Sequence, residues 1–178
     1  MVSPPPWGWH QLDSRWARSL VADSGVPPGS LVLDVGAGHG AITAALLEAG
    51  ARVIAIEAHP QRLSHLRQRF GSDVVIVGAD AADLRLPRRP YRVISNPPFA
   101  ITTALLKRLL QPGSRLVRAD LILQDQTARR WSGDRAPGFN RWQRDFFAAA
   151  GTRVPPSAFR PPAPVTARVL TIERHRPR

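Results

Sequence analysis

Seven apolar runs punctuate the sequence, and the segments between them sort the chain into alternating strands and helices. Leu31–Val35, Val53–Ile56, Val74–Val77 and Tyr91–Ile94 are short and rich in Val, Ile and Leu, the pattern of parallel strands buried on both faces. Leu121–Leu123, Phe146–Ala150 and Val165–Ile172 add three more. Elsewhere the apolar positions move to helical spacing. Leu12, Trp16, Leu20 and Val21 predict an amphipathic helix from Trp9 to about Ser24, and Ala41 to Ala49 and Pro60 to Phe70 predict two others. Ile101, Leu105, Leu106, Leu109 and Leu110 mark one face of a fourth. Such alternation defines an α/β fold, a Rossmann-like, seven-stranded and mostly parallel sheet with helices on both faces. Ligands of these sheets sit beyond the carboxyl ends of the strands. Asp34 to Gly40, Glu57, Asp80 and Asn96 all fall there.

Those strand ends carry candidate chemistry. Gly36-Ala-Gly38-His-Gly40 closes one strand and opens a helix; glycine there removes the Cβ that would keep a ligand off the backbone. A dinucleotide fingerprint wants glycine or alanine three residues after the second glycine. Ala41 stands at that place, which leaves a nicotinamide cofactor open. No Lys-Ser or Lys-Thr pair follows, so a phosphate-loop nucleotidase is excluded. Glu57 has two acceptor oxygens for the hydroxyls of a ribose, and Asp80 can accept from an adenine amine while the N–H of Ala81 reaches the ring. Singly, Glu57 is as well explained as a solvated acid and Asp80 as a helix N-cap. Jointly with the glycine loop they describe a pocket for an adenosyl ligand.

Ile94-Ser95-Asn96-Pro97-Pro98-Phe99 suits a different task. The lone pair of an exocyclic adenine amine is delocalised into the ring, so a catalyst must accept hydrogen bonds from both of its N–H groups. Asn96 offers an acceptor oxygen. Pro97, with no N–H and a fixed φ, can aim its carbonyl inward as the second. Phe99 offers a flat apolar face to an unstacked base. Asn-Pro and Pro-Pro are also ordinary turn steps, and it is the position after a glycine loop and two acids that favours chemistry.

Composition narrows the partner. The 178 residues, 43% of them hydrophobic, suffice for one well-packed domain and not for two. Residues 1–178 are therefore read as one catalytic domain, with a Pro-rich stretch at 1–8 and a basic tail at 174–178. Formal charge is +12, and Lys107 is the only lysine; from Pro112 onward 13 arginines face five acids. A balance of this kind points to a polyanion, nucleic acid or an acidic membrane surface, although a coding bias toward Arg, Ala and Pro accounts for part of it. Between 124 and 156 the arginines are interleaved with Trp131, Phe139 and Trp142, and Arg129, Arg130, Arg135 and Arg141 are the candidate phosphate contacts. Cysteine is absent, which excludes disulfides, thiolate metal sites and cysteine nucleophiles. Five histidines lack ligand spacing, so no metal is expected. Neither a signal-peptide pattern nor an apolar run of membrane-spanning length is present, and the expectation is a cytoplasmic monomer with no membrane contact.

Leu33-Asp-Val-Gly-Ala-Gly-His-Gly-Ala-Ile-Thr43, Ile56-Glu57, Gly78-Ala-Asp80 and Ser95-Asn-Pro-Pro-Phe99 together resemble the motifs of S-adenosylmethionine-dependent methyltransferases. More narrowly, they resemble the rRNA adenine N6-methyltransferases, the KsgA and Erm families. Leu123-Gln124 with Ala128-Arg129 looks like the family's segment after the fifth strand. Phe159-Arg-Pro-Pro-Ala-Pro-Val165 is similar to its Phe-x-Pro-Pro-Pro-x-Val loop, and the arginine-rich stretch from 124 to 160 looks more like actinobacterial Erm proteins than KsgA. The resemblance implies S-adenosylmethionine as cofactor, held by Gln11, Gly36, Ala37, Gly38, Glu57, Ala58, Asp80, Ala81 and Asn96. It implies one or two methyl transfers to N6 of an adenine in 23S rRNA, and so resistance to macrolide, lincosamide and streptogramin B antibiotics. Asn96, Pro97 and Phe99 would handle the amine and its base, with Phe159 on the second face of that base.

Three departures accompany the resemblance. His10-Gln11-Leu12 stands where the family has Gln-Asn-Phe-Leu, and Ala163 replaces a loop proline. The chain is expected to be a short form, without the family's helical C-terminal domain. The alternatives are a KsgA-like 16S rRNA dimethyltransferase, a DNA adenine methylase and a non-catalytic RNA-binding assembly factor on the same fold. A DNA enzyme usually adds a recognition region for which there is no room here, and an assembly factor has no use for a complete cofactor pocket.

Overall fold

The computed structural model describes residues 10–80 and 83–175. Strands β2 (Leu31–Val35), β3 (Arg52–Glu57), β4 (Val75–Gly78), β5 (Tyr91–Ser95), β6 (Leu116–Gln124), β7 (Phe146–Val154) and β9 (Ala167–Arg174) form one sheet in the order β4-β3-β2-β5-β6-β9-β7. The first five in that order are parallel, and β9 runs antiparallel to both of its neighbours. Two short strands, β1 (Gln11–Leu12) and β8 (Phe159–Arg160), pair antiparallel as a separate ribbon.

Apolar clusters pack on both faces of the central strands, and the strand sequences show why. Leu31, Leu33 and Val35 of β2 enter one apolar cluster while Val32 enters the other, as side chains of successive strand residues must. Helices α1 (Ser14–Ser24), α2 (Ala41–Glu48) and α3 (Pro60–Phe70) bury Leu20, Val21, Leu46, Leu66 and Phe70 against the Val32 face. On the other face lie α4 (Thr102–Leu109), α5 (Asp125–Trp131) and α6 (Phe139–Trp142), which contribute Leu105, Leu106, Leu109, Trp131 and Trp142. Strand order reverses between β2 and β5. A crevice for ligands is expected at that switch point.

Several elements differ from the sequence reading; β7 runs on past Ala150 to Val154, and β9 spans Ala167–Arg174 rather than Val165–Ile172. The first helix begins at Ser14, where Asp13 caps it by accepting from the Arg15 N–H at 2.9 Å; Gln11 and Leu12 are instead extended, held by β8, and Trp9 lies outside the described residues. Strand β6 starts at Leu116 rather than Leu121. The charged pair Arg118 and Asp120 hid the extension, but the two side chains satisfy each other through bonds of 2.8 and 2.9 Å. Helices α5 and α6 show no apolar stripe in the sequence, because only Ala128 and Trp131 of α5 and Trp142 of α6 are buried. Among the described residues no helix is long and apolar enough to cross a membrane.

Candidate cofactor and substrate site

The chain leaves β2 at Gly36, whose φ is +75°. A Cβ at this position would lie 2.6 Å from Cδ of Pro98, so two separate constraints demand glycine: the left-handed backbone and the approach of the proline ring. The glycine loop and the Asn96-Pro97-Pro98-Phe99 segment are therefore in direct contact. The N–H groups of Gly36 and Ala37 both donate to the Ile56 carbonyl, at 2.8 and 3.0 Å, which ties the loop to β3.

Glu57 closes β3 and is only 4% exposed. Its Oε2 accepts from the Gly38 N–H at 2.9 Å, its Oε1 accepts from the His59 N–H at 2.8 Å, and Arg62 Nε stands 3.5 Å away. In this structure the carboxylate is thus a brace for the glycine loop. Behind the loop, Thr43 donates to Asp34 Oδ2 at 2.7 Å. Asp34 is 1% exposed, and burial pushes its carboxyl up to about 7 against the lowering effect of the Thr43 hydroxyl, with the nearby Glu57 charge adding to the rise.

Asn96 follows β5 and donates from Nδ2 to the His10 carbonyl at 3.0 Å. Oδ1 is then the atom of the amide left to serve as acceptor. The crevice beside it is lined by His10, Gln11, Gly36, Ala37, Gly38 and Asn96, and also by Asp34 and Ile42. Five of the expected cofactor residues thus share one crevice. Pro97 is buried, and Phe99 is partly exposed at the start of a 3-10 turn, Phe99–Ile101.

Other expected residues are placed differently. The β3 and β4 register sets Glu57 beside Gly78, so Ala58 and Asp80, both exposed, extend past the same sheet edge. Ala81 lies outside the described residues. Phe159 requires a correction: it pairs with Leu12 across the β1–β8 ribbon and is 1% exposed, so no face of its ring is open to a base. Its apolar surface anchors the ribbon within the core instead. Trp131 and Trp142 also turn inward, while Arg130, Arg135 and Arg141 are exposed. Arg129, 62% exposed, is engaged with Asp125 at 2.8 Å, and Asp125 also accepts from Arg168. Three contributions carried no sequence signal: the Asp34–Thr43 pair, Arg62 and the His10 carbonyl. Each depends on a contact between residues that only the fold brings together. Among the described residues no group of three or more His, Asp or Glu side chains could hold a metal ion.

This strand order, with a glycine loop after the first parallel strand and an acid after the second, is the fold of S-adenosylmethionine-dependent methyltransferases. The structure superposes on that of the 23S rRNA methyltransferase ErmE with a TM-score of 0.83 at 22% identity, over 93% of this chain and 70% of the other. The family model of ribosomal RNA adenine dimethylases matches residues 12–178. An rRNA adenine N-6-methyltransferase of Corynebacterium diphtheriae is 34% identical over 80% of this chain and 57% of its own length. The mycinamicin-resistance protein MyrB of Micromonospora griseorubida is 37% identical over 80% of this chain and 46% of its own. The chain belongs to the ribosomal RNA adenine dimethylase family, and it spans about half the length of these two curated relatives.

Proposed function

We propose that the protein transfers a methyl group from S-adenosylmethionine to N6 of a specific adenine in 23S rRNA, and that this modification gives resistance to macrolide-type antibiotics. The observation that carries the reading is the contact of Gly36 with Pro98, which sets the cofactor loop against the Asn96-Pro97-Pro98-Phe99 segment. A cofactor loop and a base-handling loop packed this tightly suit transfer between two ligands held at one switch point. The 23S assignment follows ErmE, a 23S rRNA methyltransferase, and the resistance follows MyrB, a mycinamicin-resistance protein.

The residues present fit the cofactor. The glycine loop lets the backbone approach it, and Gln11 and Asn96 border the same crevice. When bound, S-adenosylmethionine supplies an electrophilic methyl. The rest is done by the chain. Asn96 Oδ1 and the Pro97 carbonyl accept hydrogen bonds from the two amine N–H groups, orient the lone pair and stabilise the positive charge that grows on nitrogen. Phe99 stacks on the extruded base, returning about 1–3 kcal/mol of the unstacking cost. S-adenosylhomocysteine leaves as the sulfur keeps the electron pair of the broken bond, and no general base is required, since the methylated nitrogen is acidic and gives its proton to solvent water. Arg130, Arg135 and Arg141 contact phosphates and hold the RNA, with Arg129 contributing when its exposed pair with Asp125 opens.

The test is nucleoside analysis after incubation of the protein and S-adenosylmethionine with separated 23S and 16S rRNA. N6-methylated or N6-dimethylated adenosine from 23S rRNA alone supports the reading. Methylation of 16S rRNA alone would move the target to the small subunit. Cofactor binding with no methyladenosine in either RNA would favour an assembly factor.

A further inference from the structure

We infer that the main-chain carbonyl of His10 aims the catalytic amide of Asn96, and that the His10 imidazole is the latch that keeps this carbonyl in place. This rests on the role proposed above for Asn96. A primary amide presents an oxygen and a nitrogen of nearly equal size, and only one of its two orientations turns an acceptor toward a substrate amine. A backbone carbonyl has no proton to give. Lying 3.0 Å from the Asn96 side chain, the His10 carbonyl can face only the NH2 end, because the flipped amide would set two acceptors against each other. The rotamer that leaves Oδ1 for the substrate is thereby selected before any ligand arrives.

Several contacts hold that carbonyl. His10 Nδ1 lies 3.0 Å from the Pro161 carbonyl, which can only accept, so Nδ1 carries the proton. The next two residues pair with β8 in the register Gln11 with Arg160 and Leu12 with Phe159. Asp13 N–H donates to the Ala158 carbonyl at 2.8 Å. The buried Phe159 ring fastens β8 to the core. A segment far from Asn96 in sequence thus sets its orientation, and His10 is a positioning residue rather than a catalytic one.

The experiment compares His10→Phe, which keeps a ring and loses the N–H, with His10→Asn, whose side-chain N–H can take the place of Nδ1–H. Methyl transfer to 23S rRNA, cofactor affinity by calorimetry and melting temperature are measured for each. For His10→Phe the expected result is a fall in kcat of about 10-fold, as for a sub-ångström loss of aim, with KM for RNA and cofactor Kd within about twofold of the parent value; His10→Asn recovers most of the loss. A His10→Phe kcat within about twofold of the parent, or no recovery in His10→Asn, overturns the inference. Hydrogen exchange of the Asn96 side-chain NH2, followed by NMR, gives an arm independent of turnover. Slow exchange in the parent and faster exchange in His10→Phe are expected. Exchange in the parent as fast as in an exposed asparagine overturns the inference even if no RNA proves to be a substrate, whereas lack of turnover with slow exchange overturns only the proposed function.

Discussion

Replacing Gly36 by alanine separates the strain of the glycine loop from its contact with the substrate segment. Two costs are expected. A Cβ at φ +75° destabilises the backbone by about 1–2 kcal/mol. The added carbon also meets Pro98 Cδ at 2.6 Å, with Pro97 Cα 3.6 Å away. Restoring an ordinary contact needs a shift of about 0.8 Å, taking roughly 3.4 Å as the close limit for carbon atoms. A proline ring cannot rotate aside, so the shift passes along the backbone to the Pro97 carbonyl and Asn96. Displacement on the order of 1 Å at a reacting centre costs about 10²-fold in rate. Gly113 is the matched control, since its φ is +80° and nothing lies within 4 Å of its Cβ position. Both variants should melt a few degrees lower, at roughly 2–4 °C per kcal/mol. Under saturating cofactor and RNA, Gly36→Ala should lose about 10²-fold in kcat while Gly113→Ala stays within about twofold of the parent. Equal turnover in the two variants would refute the idea that Gly36 is kept small for the sake of the substrate segment.

Other outcomes follow from single residues. Asn96→Ala should lower kcat by about 10²–10³ with little change in melting temperature, as loss of a preorganised acceptor does; unchanged turnover would remove the side chain from the reaction. Asp34 titrates near 7 in the fold and near 3.8 when unfolded, so between these values the native state holds a proton that the unfolded chain has released. Its contribution is full below pH 4 and is lost as pH rises through 7, on the order of 4 kcal/mol in all. His39, lowered by burial and by His65, acts with the opposite sign in part of this window. The expected result is therefore a difference curve: melting temperature of the parent minus that of Asp34→Asn falls from pH 5 to pH 7.5, and a flat curve would show that Asp34 is ionised throughout. Arg130→Gln and Arg141→Gln should each weaken RNA binding and reduce the slope of log affinity against log salt by roughly 0.7–0.9. A slope unchanged in both would place the RNA on another face.

The central strands were legible because their positions are mostly apolar; β2, β3, β4 and β5 begin and end within a residue of their apolar runs, even though β4 is an edge strand with Val75 60% exposed. The loops after them were legible for the same reason, since a doubly wound sheet fixes where its functional ends lie. What the sequence hid depends on pairing over long distances. The ribbon of β1 with β8 has two residues in each strand, too few for any periodicity. Phe99 directly follows a proline and Phe159 stands two residues before one, and nothing in the sequence separates them, yet Phe99 is partly exposed and Phe159 is buried. Glu57 was recognisable as an acid at a strand end, but its grip on the Gly38 and His59 N–H groups belongs to the folded loop. Arg118 and Asp120 disguised half a strand, because a mutually satisfied pair can occupy positions that otherwise call for apolar side chains.

The most direct measurement is transfer of labelled methyl from S-adenosylmethionine to protein-free 23S rRNA, with the modified base located by primer-extension arrest. A cofactor loop pressed against an adenine-handling segment predicts label in 23S rRNA and arrest at a single adenine, both abolished in Asn96→Ala. Label spread over many adenines, or none in 23S rRNA while the cofactor is bound, would contradict it.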